Sequence, residues 1–228
     1  MNVVITGASR GIGAAVARRF AEAGAHLTLC ARDEDELHTV AAEVIDAGGE
    51  AVTQRADIRD EYDVERLMET AAREAGEPID IVVANAGVYH GPPGETPAPD
   101  ESYAAFDDHV RTNGRGVFAT IREAVPHLAP DARVIVPSGR IARDALPGFG
   151  SYAVSKAVAE AVARQFAADL DQAVGVVDPG QVATDLAGGQ GRDPDEVAEL
   201  FVWATTEAPA EDLDGAVLSL REWKQATR

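Results

Sequence analysis

The chain has 228 residues, 46% of them hydrophobic, which suits one α/β domain with a full core. It carries 39 acidic residues against 20 basic ones, a formal net charge of −19, and that field argues against nucleic acid or an anionic membrane as partner. A single cysteine, Cys30, excludes an internal disulfide, and no apolar run approaches the ~20 residues that cross a bilayer.

The first strand, 2–6, begins almost at the N-terminus with no segment that reads as a signal peptide, so a cytoplasmic protein is expected. It runs into TGASRGIG, Thr6 to Gly13, and then an amphipathic helix over 11–23 with Ile12, Val16, Phe20 and Ala23 on one face. A strand feeding a glycine-rich turn at a helix start is built to hold a pyrophosphate. Gly7 permits the sharp turn, Gly11 clears the approach of phosphate to backbone, and Gly13 lets the helix pack close to the strand. The spacing is G-x-x-x-G-x-G, not the commoner G-x-G-x-x-G, and by itself it is also what an ordinary tight turn would show.

Further strands are predicted at 26–31, 50–56, 80–84, 132–137, 173–177 and 215–220, and helices at 33–47, 60–75, 100–128, 151–171 and 193–207. Gly24 and Gly48 are well placed as helix stops. Repeated βαβ units wind right-handed into a parallel sheet with helices on both faces, a Rossmann-type doubly wound α/β fold of about seven strands. No linker or repeat interrupts it, so one domain over 1–228 is expected. The loop 87–100, GVYHGPPGETPAPD, follows a strand's carboxyl end, where ligands bind in such sheets.

Tyr152 and Lys156 stand four apart in a helical stretch, so both leave one face. A cation ~4 Å from a phenol at an effective dielectric of ~20 is worth ~4 kcal/mol, roughly three pKa units, enough to bring a tyrosine near 7. Only two of the basic residues are lysines, Lys156 and Lys224. The surplus of acid with so little lysine predicts a protein adapted to high salt; coding in a G+C-rich genome is the competing source of the arginine and alanine.

TGASRGIG, ANAG at 84–87, RTNGRGVF around Asn113, YAVSK at 152–156 and DPGQVATD at 178–185 together resemble the short-chain dehydrogenase/reductase family, in its order and near its spacing. The resemblance implies hydride transfer between a nicotinamide and a carbonyl or alcohol carbon. It makes Tyr152 the proton donor or base, Lys156 the group that lowers its pKa, and Asn113 a member of a proton relay. Asn113 is also a poor helix former in an apolar stretch, so a local bend in the backbone is expected there; a satisfied buried asparagine is the plainer reading. The cofactor-binding set it implies is Gly7, Ser9, Arg10, Gly11, Ile12, Gly13, Arg32, Asp57, Ile58, Asn85, Ala86, Gly87, Tyr152, Lys156, Pro179, Gly180, Val182 and Thr184, and no metal. Arg32 after the second strand, with Arg10, suits a 2′-phosphate and hence NADP(H) over NAD(H), unless both are solvated surface arginines. Asp57 would touch adenine, or else serve as a cap or turn carboxylate.

The chain departs from the family at one point. A serine usually stands thirteen residues before the tyrosine, where this chain has Gly139, and its serine is Ser138. Neighbouring strand residues point to opposite faces, so either the strand end twists Ser138 into place or the oxyanion donor is missing. The substrate loop 186–193 is short and holds Gly188, Gly189 and Gly191, which predicts an open, mobile site. Arg140, Arg143, Arg192 and His90 could recruit an anion or simply be solvated charge. The expected function is therefore an NADP(H)-dependent carbonyl reductase or alcohol dehydrogenase, 3-oxoacyl reductase included, acting on a small molecule as a homodimer or homotetramer. The alternative is an NADP(H)-binding sensor or assembly partner with reduced catalysis.

Overall fold

Seven strands form one sheet: β1 (Asn2–Thr6), β2 (His26–Ala31), β3 (Glu50–Arg55), β4 (Ile79–Val83), β5 (Leu128–Pro137), β6 (Ala173–Asp178) and β7 (Val217–Ser219). Every pairing is parallel, in the order β3-β2-β1-β4-β5-β6-β7. Strands of such a sheet are covered on both faces, which is why NVVIT and AVGVVD are buried at every residue. The computed structural model describes residues 1–228.

Two apolar cores lie on the two faces. One packs α1 (Gly11–Glu22), α2 (Glu34–Asp46) and α7 (Pro194–Thr206) on the sheet through Phe20, Leu37 and Phe201. The other packs α3 (Glu61–Ala75), α5 (Gly116–Ala124) and α6 (Gly150–Asp169) through Leu67, Ile121 and Ala159. The strand order reverses between β1 and β4, and their carboxyl ends diverge there into a crevice.

Three predicted elements differ. The helix expected over 100–128 is divided into α4 (Tyr103–His109), a π-helical turn over Val110–Arg115, and α5. Asn113 and Gly114 sit in that turn, where a wide winding relieves two poor helix formers and frees the Asn113 side chain for bonds outside the helix. The last strand is three residues, not six. Ser219 ends it by opening a capping box with Glu222 that starts α9 (Leu220–Ala226), after the short α8 (Ala210–Leu213). β5 starts at Leu128, four residues early, because Leu128 already pairs with Ile79 before a register irregularity. Elsewhere the expected strands and helices stand within about two residues of the observed ones, and Gly24 and Gly48 take left-handed φ of 70° and 96° just past α1 and α2.

Candidate active site

The glycine turn after β1 is a cradle that side chains would fill. A Cβ on Gly7, at φ +64°, would come within 2.7 Å of the Ala86 Cα, and one on Gly13 within 2.3 Å of the Gly7 carbonyl. Gly11 also has positive φ, but its neighbour is the Thr184 side chain, so the loop after β6 closes the same cradle from the other side. Asn85 Nδ2 donates to the Thr6 and Gly7 carbonyls, both at 3.0 Å, and the Thr6 hydroxyl accepts from the Ala86 amide at 3.1 Å. The end of β4 is thereby stapled to the turn, with the N-terminus of α1 and its unpaired amides aimed at the crevice. Backbone donors in a cleared concavity fit a dinucleotide pyrophosphate.

Ser9 lies within the turn and Ile12 in the first turn of α1, Ile58 is buried against Gly116 of α5, and Gly87 lies within reach of the Asn113 carbonyl oxygen. Arg32 is exposed just past β2, and its carbonyl accepts from Arg55 Nε at 3.3 Å. No ion pair joins it to the neighbouring Asp33, whose carboxylate caps α2 at the Glu36 amide. Arg10 lies 3.6 Å from Asp185 across the cleft. The Asp57 carboxylate is held by the Arg59 guanidinium and amide, which keep it below its ordinary pKa, so it is committed rather than free. Pro179 and Gly180 turn the chain after β6, Val182 is buried, and Thr184 caps the next turn at the Ala187 amide.

Tyr152 and Lys156 leave α6 one turn apart. Asn113 reaches that helix from the π-helical turn: its amide donates to the Val88 carbonyl and the Ser155 hydroxyl, each at 2.9 Å, and its oxygen accepts from the Val88 amide at 2.8 Å. The Ser155 hydroxyl in turn donates to the Tyr152 carbonyl at 2.7 Å. Both Asn113 donors are therefore spent on protein, as a satisfied buried asparagine requires, and the bent backbone expected around it is present.

The electrostatics correct one expectation. Lys156 does not pull the phenol down: burial pushes Tyr152 above its ordinary value, with Tyr89 adding to the rise. The ammonium instead donates to the Pro137 carbonyl at 2.6 Å, and burial lowers Lys156 to about 8 against an opposing pull from Glu160. Tyr89 stacks on Tyr152 with ring centroids 4.4 Å apart, and its hydroxyl is tied to Thr96 at 3.0 Å.

Strand parity at the end of β5 is legible. Val134 and Val136 join the core that holds α6, while Ile135 joins the opposite one, so Ser138 has the parity of the α6 face. Its amide continues the ladder to Val177, and its hydroxyl is buried without a partner. A Cβ at Gly139 would meet nothing within 4 Å. The loop cations are largely committed: Arg140 pairs with Asp144 and Arg143 with Asp178 and Glu160, while the His90 ring is bonded to Asp108, which leaves Arg192 exposed. The two ends of the glycine-rich loop over 186–193 are pinned together, with Ala183 donating to the Arg192 carbonyl at 2.7 Å and Arg192 to the Gln181 carbonyl at 2.9 Å.

A family model described as short chain dehydrogenase matches residues 1–195. The chain belongs to the short-chain dehydrogenase/reductase family. It is an oxidoreductase acting on CH–OH or carbonyl groups with a nicotinamide cofactor. It is similar to the 1-deoxy-11-beta-hydroxypentalenate dehydrogenase of Streptomyces exfoliatus, 35% identical over 220 residues, 94% of this chain and 77% of that protein. It is also 33% identical over 222 residues to the glycine betaine reductase ATRR of Emericella nidulans, matching 88% of this chain and 17% of that much longer protein. Among solved structures, an alcohol dehydrogenase of Thermococcus sibiricus complexed with 5-hydroxy-NADP superposes with a TM-score of 0.84 at 30% identity, covering 96% of this chain and 94% of that one. No helix of this short-chain dehydrogenase/reductase is long and apolar enough to cross a membrane.

Four side chains around Tyr152 escaped the sequence reading: Tyr89, Glu101, His109 and Ser151. His109 stands four residues before Asn113 and Ser151 directly before Tyr152, but neither spacing distinguishes a buried polar group from a surface one.

Proposed function

We propose that this protein is an NADP(H)-dependent carbonyl reductase or alcohol dehydrogenase, with 3-oxoacyl compounds among its candidate substrates. Residues 1–228 would work as one dinucleotide-binding domain with 186–193 as the substrate loop. The observation that carries the reading is Tyr152 beside Lys156 on α6, with the helix fastened through Ser155 to Asn113. Bound nicotinamide would supply the hydride; the glycine cradle, Asn85 and Thr184 would hold the dinucleotide.

The protein's own part is to place the carbonyl oxygen and give it a proton. A phenol that stays protonated at neutral pH can give its proton to a carbonyl oxygen in the reductive direction. Ser138, with the parity of the α6 face and an unpartnered hydroxyl, is the oxyanion donor in this reading. Exposed Arg32 supports NADP(H) over NAD(H) through its charge toward a 2′-phosphate, with Arg10 released from Asp185 as the second arm. The salt-pinned loop cations speak against an anionic substrate.

A homodimer or homotetramer is proposed on the exposed apolar side chains of α4, α5 and α6: Tyr103 at 91%, Phe106, Phe118 and Val154. The net charge of −19 supports a salt-adapted protein of the cytoplasm. The second reading, an NADP(H)-binding protein with reduced catalysis, draws on the empty space at Gly139, where the family's serine would project. NADPH oxidation over a panel of ketones, aldehydes and 3-oxoacyl thioesters separates the two: turnover with any of them supports the reductase, and tight NADPH binding with none supports the second.

A further inference from the structure

Behind Tyr152 lies a polar cluster that the proposed reaction does not use. His109, the last residue of α4, is fully buried. Its Nε2 accepts from the His90 amide at 3.0 Å, and an amide can only donate, so that nitrogen carries no proton. The proton must then sit on Nδ1, 2.7 Å from the Ser151 hydroxyl. Ser151 accepts it and passes its own proton on to Glu101 Oε1 at 2.9 Å. The other Glu101 oxygen accepts from the Ser151 amide. Every proton in the row is thus ordered from both ends.

The cluster also solves a local problem of α6. The residue before its first turn is Phe149, which offers no side-chain cap. Glu101, from a segment some fifty positions away in the chain, supplies one, and its carboxylate meets the positive end of the helix dipole. Tyr152 is the third residue of that helix. Its ring is held on one side by stacked Tyr89 and on another by the edge of His109, at a centroid distance of 5.9 Å and 62°.

We propose that Glu101, Ser151 and His109 form a proton-ordered clamp that positions Tyr152, and that a second proton on His109 releases it. The proposal rests on the reading of Tyr152 as proton donor. Protonated at both nitrogens, His109 would aim an Nε2 donor at the His90 amide donor, and that bond would be lost. The titratable groups facing the ring are Glu101, 3.9 Å from Nδ1, His90, 4.9 Å between ring centroids and itself bonded to Asp108 at 2.8 Å, and the rings of Tyr89 and Tyr152. Burial and His90 outweigh the two carboxylates and hold His109 below its ordinary range. A histidine lowered on folding is neutral in the native state while the unfolded chain takes up protons, so the clamp is intact at neutral pH and weakens as acid is added.

The test uses the full-length protein with His109→Gln, His109→Leu and Glu101→Gln beside the wild type. Glutamine can accept from the His90 amide and donate to Ser151 without titrating. We expect His109→Leu to lower kcat about 10-fold or more at pH 7.5 with NADPH Kd within about twofold, since small misplacements of a reacting group cost this much. His109→Gln should recover most of that loss and should flatten the fall of kcat between pH 7.5 and 5.5. A glutamine variant with the wild-type acid limb, or one as impaired as the leucine variant, would overturn the clamp. One readout needs no turnover and so separates this proposal from the assigned reaction: imidazole 15N shifts at pH 7.5. They should show His109 as the Nδ1–H tautomer in the wild type and, in Glu101→Gln, a loss of that fixed state; an Nε2–H or doubly protonated ring in the wild type would also overturn it.

Discussion

Lys156 donates to the Pro137 carbonyl at 2.6 Å, which ties α6 one turn past Tyr152 to the carboxyl end of β5. The helix that bears Tyr152 and the strand that ends one residue before Ser138 are therefore joined by this bond in addition to the apolar core they share.

That bond has a pH signature. Lys156 is lowered to about 8 in the folded protein from an ordinary 10.5. Below pH 8 the native state carries a buried charge at a cost; between about 8 and 10.5 it has shed the proton while the unfolded chain still holds it, so stability rises with pH through that window. Urea midpoints at pH 7.5 and 9.5 should rise in the wild type relative to Lys156→Met. Parallel changes in the two proteins would contradict the assignment.

Arg32→Ala should weaken NADPH binding by about 1.5–3 kcal/mol and leave NADH nearly unchanged, because a charge-assisted contact to the 2′-phosphate is lost. Calorimetric titration with both cofactors checks this. Equal losses for the two would make Arg32 a surface arginine.

Ser138 and Gly139 give opposing expectations. With Ser138 as oxyanion donor, Ser138→Ala should cost about 10²–10³ in turnover while NADPH affinity stays put. Gly139→Ser should then be mild, since a Cβ there meets nothing within 4 Å. If instead the alanine variant is mild and Gly139→Ser raises turnover, the donor is missing from the natural chain.

The net charge of −19 is poorly screened at low ionic strength, so the melting temperature should climb between 0.1 and 2 M KCl. A flat or falling curve would remove the salt-adaptation reading.

Much of this was legible in the sequence, and for identifiable reasons. Inner strands such as AVGVVD are apolar at every position because both faces are covered, and the Tyr152–Lys156 spacing fixes a common helix face. The direction of the Lys156 ammonium was not legible, because spacing says nothing of whether a lysine turns toward a phenol or a carbonyl. The π-helical turn was half legible: Asn113 marked a bend, but its bonds to Val88 and Ser155 join segments distant in the chain. Glu101 was invisible for the same reason, since a helix cap borrowed from a proline-rich loop leaves no local pattern. At Ser138, alternation counted from the core valines favours the α6 face, whereas the one-residue offset alone pointed against it.

The most direct measurement is NADPH oxidation by wild type and Tyr152→Phe on the same carbonyl panel, with NADPH affinity measured for both. The account predicts turnover in the wild type and nearly complete loss in the phenylalanine variant at unchanged NADPH affinity, because only the phenolic proton is removed. A variant that keeps more than about a tenth of the wild-type rate, beyond what a lost general acid permits, would contradict it.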